Sequence, residues 1–209
     1  MRTQSLRRDI LIIICSICFY SCQNNSDKKL PPTITSKITG KPIVIRIQPF
    51  TGFDIKEIKE LAAWIKKTIP NVEINTSVNL PSFAFYSPRN RYKADSLLKF
   101  LSSVAKENEI MLGVTTKDIS TTKGDIADWG IMGLGMSPGN SCVISSYRPK
   151  NNHQLFKVAI HELGHTFGLP HCPNPTCYMR DAEGGNPTDQ EVGFCDQCKK
   201  YLQDHGWQL

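Results

Sequence analysis

His161-Glu162-Leu163-Gly164-His165-Thr166-Phe167-Gly168-Leu169-Pro170-His171 is the stretch on which the fold of this chain turns. Before and within it, Leu155, Phe156, Val158, Ala159, Ile160 and Leu163 recur at helical spacing, which predicts a helix from about His153 to Phe167. Residues four apart share a helix face, so His161 and His165 can reach one metal ion. Glu162, beside the first histidine, can approach a water on that ion and take its proton as the water attacks a carbonyl. Gly168 suits a sharp turn with positive φ, after which His171 can swing back as a third ligand. Three protein ligands plus a water are the open set of a catalytic zinc, not the closed set of a structural one. The bland alternative is a solvated amphipathic helix. It has to place two histidines, a glutamate, a glycine and a third histidine at this spacing by chance, and we set it aside.

The extended pattern resembles the signature of the metzincin zinc peptidases. That resemblance implies an α/β (α+β) zincin fold: a twisted, mixed, mostly parallel sheet with an active-site helix. It also implies a methionine-containing turn packed under the metal, for which Met179 is the candidate. A narrower likeness lies downstream. His171 is followed at once by Cys172, then by Cys177, Met179 and Cys195-Asp196-Gln197-Cys198, a block similar to that of the archaemetzincins, a metzincin subgroup. Arg91-Tyr92-Lys93-Ala94 before Leu97-Leu98, Leu112-Gly113-Val114-Thr115, and Val143-Ile144-Ser145-Ser146 before Arg148 are similar too. The resemblance spans roughly residues 41–205. It implies a zinc metallopeptidase with two zinc ions per chain. His161, His165 and His171 would hold the catalytic one, and Cys172, Cys177, Cys195 and Cys198 a structural one in a small C-terminal subdomain. Glu162 would be the general base. An edge strand within Trp129–Gly139 would line the cleft and pair with extended substrate. Two departures stand out. Only 15 residues separate Met179 from Cys195, fewer than the family leads one to expect, and Asp181, not a tyrosine, stands two residues after Met179.

On spacing alone, the four C-terminal cysteines supply a tetrahedral thiolate set, or two disulfides if the compartment is oxidising. A disulfide inside Cys195-x-x-Cys198 would be a redox loop and a poor staple, so zinc is the expectation and disulfides stay open. Cys142, in an apolar run, reads as a buried free thiol.

The remaining cysteines belong to an address. Arg2, Arg7 and Arg8 precede an apolar run from Ile10 to Tyr20, about half of what a membrane-spanning helix needs. Ser21 before Cys22 then resembles a bacterial lipoprotein signal, which would be cut before Cys22 and leave that residue lipidated; the alternatives are an uncleaved anchor and an ordinary secretory signal. The expected organisation is a signal peptide over 1–21, a flexible tether over 22–40 and one catalytic domain over 41–209. The chain would then be lipid-anchored in a bacterial cell envelope with its domain outside the cytoplasm, although relatives are mostly thought of as cytosolic. The removed piece carries three arginines and one aspartate, so the net charge falls from +6 to +4.

With 40% hydrophobic and 21% charged residues, wholesale disorder is excluded, as is a polytopic membrane protein. No basic block interleaved with aromatics suggests a nucleic-acid face. A monomer acting on peptide or protein is expected. The competing functions are a non-catalytic zinc-binding envelope lipoprotein and a zinc hydrolase of non-peptide amides.

Strands are predicted at Ile43–Ile47, Val72–Thr76, Ser82–Tyr86, Ile110–Val114 and Val143–Ser146, with helices over Ile55–Ile69 and around Leu97–Ala105. A last helix is predicted from Thr188, where Thr188 and Glu191 form a capping box. Tyr178 and Asp181 are assigned to turn capping, and Arg89 and Arg91 to a solvated loop.

Overall fold

Val44–Pro49 (β1) buries Ile45 and Ile47 completely, and the main sheet grows from it in both directions. The computed structural model describes residues 42–209, so the expected signal peptide with Cys15 and Cys18, the expected lipidation site Cys22 and the expected tether to residue 40 lie outside the described residues. Asp54 accepts the Lys56 amide and starts Ile55–Ile65 (α1), whose Ile58, Leu61, Ala62 and Ile65 form the buried face. Val72–Ile74 (β2) returns parallel to β1. Pro81 and the bond from the Ala84 amide to its carbonyl then tighten Ser82–Ala84 into a 3-10 turn, which corrects the strand expected there. Only Phe85–Tyr86 (β3) is extended, and it pairs antiparallel with Arg91–Lys93 (β4).

Ala94–Val104 (α2) leads into the buried strand Glu109–Thr115 (β5), which lies parallel to β1. Ile119–Lys123 (β6) and Ile126–Ile131 (β7) form a hairpin joined by Gly124-Asp125, with Gly124 at φ +57°. Gly133–Gly135 (β8) pairs antiparallel with Ser141–Ser145 (β9), and β9 pairs parallel with β5. The main sheet therefore runs β2-β1-β5-β9-β8, parallel apart from its last strand, and a second four-stranded sheet runs β3-β4-β6-β7. α2 packs on the face carrying Met111 and Val143. On the other face lies Asn152–Thr166 (α3), joined to α1 by an edge-to-face contact of Trp64 and Phe156. This layering is the α/β architecture expected from the sequence, with a second sheet that was not.

Two further expectations are corrected. Arg91 is no solvated loop residue, because it lies in β4 and its guanidinium sits 2.6 Å from Asp118 and 2.9 Å from Asp128. The final helix is Asp196–Asp204 (α4), not one from Thr188. Asn186 caps only a 3-10 turn over Pro187–Asp189, and Lys157 draws the carbonyls of Thr188 and Glu191 to itself, the groups a helix there would have used. No helix among the described residues is long and apolar enough to cross a membrane.

Candidate active site

α3 begins where Asn151 accepts the Gln154 amide, and it buries Leu155, Val158, Ala159, Ile160 and Leu163. It stops in a Schellman motif. The Leu169 amide bonds Gly164 O at 3.1 Å and the Gly168 amide bonds His165 O at 2.8 Å, with Gly168 at φ +93°. The sharp turn expected at Gly168 is present, and it returns the chain so that His171 faces His161 and His165.

One potential ligand atom from each of these three histidines lies within 4.8 Å of those of the others. The Nδ1 atoms are engaged from outside: His161 bonds Tyr178 O at 2.7 Å, His165 bonds Leu169 O at 2.7 Å, and His171 faces Asp181 Oδ2 at 3.3 Å. Donating Nδ1–H to a carbonyl leaves Nε2 of His161 and His165 as acceptors, and these two lie 3.0 Å apart. Burial and the neighbouring histidine hold His161 neutral, its pKa lowered to about 3, and burial lowers His165 as well. Two lone pairs at that distance repel unless a cation lies between them. Tetrahedral bonds of about 2.0–2.1 Å would set such nitrogens about 3.3 Å apart, so the set fits zinc after a shift of a few tenths of an ångström.

Glu162 is buried against β8. A Cβ on Gly133 would lie 2.6 Å from its Oε1, and one on Gly135 would lie 2.7 Å from its carbonyl oxygen. These glycines let the carboxylate sit at the sheet edge beside the histidines. Burial pushes it up to about 8, against the pull of the Gly135 amide. Beneath the histidines lies the fully buried Met179, whose sulfur would be 2.6 Å from a Cβ on Gly164. Packing beneath the site is the role expected of it.

The second cluster brings Cys172, Cys177, Cys195 and Cys198 together, one sulfur from each within 4.8 Å of the others. All four are free, as is the buried Cys142. Cys172 and Cys195 sulfurs are 3.7 Å apart, far beyond a disulfide bond and close to the edge of a zinc tetrathiolate. The Cys198 side chain and the amides of Cys195 and Met179 hold the Cys177 thiol well below the usual thiol range, while Cys198 is raised in turn. One thiolate suppresses the next, so full ionisation of the set needs a cation.

Between β8 and the segment after Met179 opens a cleft of about 720 Å³, lined by His161, Glu162, His165 and His171. β8 is an end strand of its sheet and lines the cleft, as expected of the glycine-rich segment. Trp129 reaches across to the backbone of Gly184, where a Cβ would meet its ring at 2.9 Å. Asp181 caps its turn by accepting the Glu183 amide, as expected, and also faces His171. The sequence reading missed that second contact, and it missed Lys157 and Glu191, which also line the cleft. Lys157 had a signal: it is a lone cation in the run Phe156-Lys157-Val158-Ala159-Ile160, four residues before His161.

The family model of peptidase family M54 matches residues 28–204. The archaemetzincin of Methanocaldococcus jannaschii is 30% identical over 175 residues, which are 78% of this chain and 94% of the relative. The crystal structure of the archaemetzincin from Methanopyrus kandleri superposes with a TM-score of 0.67 at 25% identity, over 79% of this chain and 96% of that one. The archaemetzincin from Archaeoglobus fulgidus, crystallised with malonate, superposes with a TM-score of 0.66 at 26% identity, over 76% of this chain and 99% of that one.

Proposed function

The chain belongs to peptidase family M54, the archaemetzincins, and is a zinc metallopeptidase, and from that premise we propose how its residues divide the work. His161, His165 and His171 hold the catalytic zinc, and Glu162 is the general base of peptide hydrolysis. Bound there, zinc polarises the substrate carbonyl and lowers the pKa of water toward neutrality. A Glu162 carboxylate oxygen takes the proton of the attacking water and later passes it to the nitrogen of the leaving amine. The open edge of β8 offers main-chain groups to an extended peptide.

A single observation carries this reading. Glycines 133 and 135 let a buried carboxylate press against the sheet edge beside three converging imidazoles. Burial holds that carboxyl near the pH at which it can both accept and return a proton. The four cysteines hold a second zinc. With zinc bound, Cys172 and Cys177 would tie the turn carrying Tyr178 and Met179 to Cys195 and Cys198 at the start of α4, and so fix the carbonyl that orients His161.

Incubating the purified chain with a peptide library and reading products by mass spectrometry tests the activity. Zinc-loaded protein should cleave, chelation should stop cleavage, and added zinc should restore it. A chain that retains zinc yet leaves every peptide intact contradicts the proposal.

A further inference from the structure

The cleft extends past the histidines along α3. Lys157 stands four residues before His161, so it lies on the same helix face, roughly 6 Å nearer the helix start. Its buried ammonium donates to the carbonyls of Thr188 and Glu191, both at 2.6 Å. These two bonds tie the segment after Pro187 to the helix and form a polar wall beside the first histidine.

Glu191 lies on that wall. It is only 5% exposed and it lines the cleft. Its backbone is held by Lys157 and by the bond from the Val192 amide to Thr176 O. Its carboxylate accepts no hydrogen bond and enters no ion pair among the described residues. The cations of the same lining are all engaged. Arg148 grips Asp118 at 2.9 and 3.0 Å, and Arg180 donates to Pro175 O and Gln190 Oε1. Lys123 lies 5.3 Å over the Trp129 ring, and Lys157 has its two carbonyls. Among the acids, Asp181 is met by the Glu183 amide and Glu162 by the Gly135 amide, while Glu183 is exposed to water. Glu191 is therefore the buried carboxylate of this lining with no hydrogen-bond or ion-pair partner, and burial, with Cys177 nearby, raises its pKa to about 7 against the pull of Lys157 and Arg180. Such a group is costly unless a donor reaches it.

We infer that Glu191 is a specificity-determining residue, selecting a substrate side chain that ends in a cation, lysine or arginine, next to the scissile bond. This rests on the peptidase reading above. A cationic side chain entering from the cleft supplies the missing donor. A neutral one leaves Glu191 unpaired, and an acidic one adds a second negative charge beside it.

Two measurements on the full chain test this. In the first, the peptide library is cleaved by wild type, Glu191→Gln and Glu191→Lys. Lysine and arginine should be enriched at one position flanking the cut. The enrichment should vanish in the isosteric glutamine variant and turn toward aspartate and glutamate in the lysine variant. In the second, binding is read by fluorescence polarisation with zinc-loaded Glu162→Gln protein and peptides differing only by lysine or norleucine at that position, or at each position in turn where nothing is cut. Lysine should bind about tenfold tighter or better, and adding Glu191→Gln should bring the ratio to near one. Cleavage without a basic preference, or with one that survives Glu191→Gln, overturns the inference and leaves the peptidase reading intact. A lysine preference in binding without any cleavage does the reverse. Neither preference nor cleavage overturns both.

Discussion

Gly164 offers a quantitative test of how the helix and the methionine turn are fitted together. An alanine methyl there would lie 2.6 Å from Met179 Sδ and 3.2 Å from its Cε, against an ordinary contact of about 3.5–4.0 Å. Met179 is fully buried, so it has to shift by about 1 Å within a packed interior, and overpacking of this kind costs roughly 1–3 kcal/mol. Alanine in the last turn of α3 recovers at most about 1 kcal/mol of helix propensity. The net is a loss of about 1 kcal/mol, read as a fall in Tm of about 2–4 °C. Met179→Ala alone opens a cavity and should cost about 2–5 kcal/mol. In the double variant the new methyl enters that cavity, so the two changes should cost less than their sum by about 1 kcal/mol or more. Urea unfolding of the zinc-loaded proteins measures all four corners of the cycle. A Gly164→Ala protein stabilised by the full helix-propensity gain, with additivity to about 0.5 kcal/mol, would refute the packing argument.

Asp181→Ala removes the carboxylate facing His171 and should weaken zinc at the histidines about 10–100-fold, measured by competition with a chromophoric chelator. Cys177→Ser should lower bound zinc from about two per chain to about one, by plasma emission analysis. Thiol titration of the unaltered metal-free chain should find all four C-terminal cysteines reactive, and a chain with about one zinc and none of those thiols would indicate disulfides. Glu191 has a folded-state pKa raised from 4.5 to about 7, so between those values the folded state binds more protons and stability falls as pH rises. Glu191→Gln removes that penalty. Relative to wild type it should gain up to about 3 kcal/mol above pH 7 and show no gain below about pH 4.5, by thermal unfolding across that range.

The site was legible because its signal is local. His161 and His165 share a helix face by spacing with Glu162 next to the first of them, Gly168 ends that helix by its backbone freedom, and the cysteine block follows at once. The parallel strands β1, β5 and β9 announced themselves as β-branched, buried runs. The second sheet did not, since β3 and β4 have two and three residues, too short for periodicity. Its hairpin had a local cue in Gly124-Asp125, but only the strand before that turn, Ile119–Lys123, is rich in β-branched residues. Thr188 and Glu191 have the spacing of a capping box, yet Lys157, some 30 residues earlier in the chain, captures the carbonyls and keeps the segment out of a helix. Tertiary contacts of that kind leave no trace in a local pattern. The same holds for Asp181, whose contact with His171 depends on two turns closing on each other.

Activity and zinc content measured on one Glu162→Gln preparation bear most directly on the account. The variant should keep the zinc content of wild type, because the carboxylate is not among the converging nitrogens. It should lose at least about a hundredfold in kcat/KM on any peptide the wild type cleaves, because the proton acceptor is gone. A zinc-replete variant that cleaves at the wild-type rate would contradict the central claim.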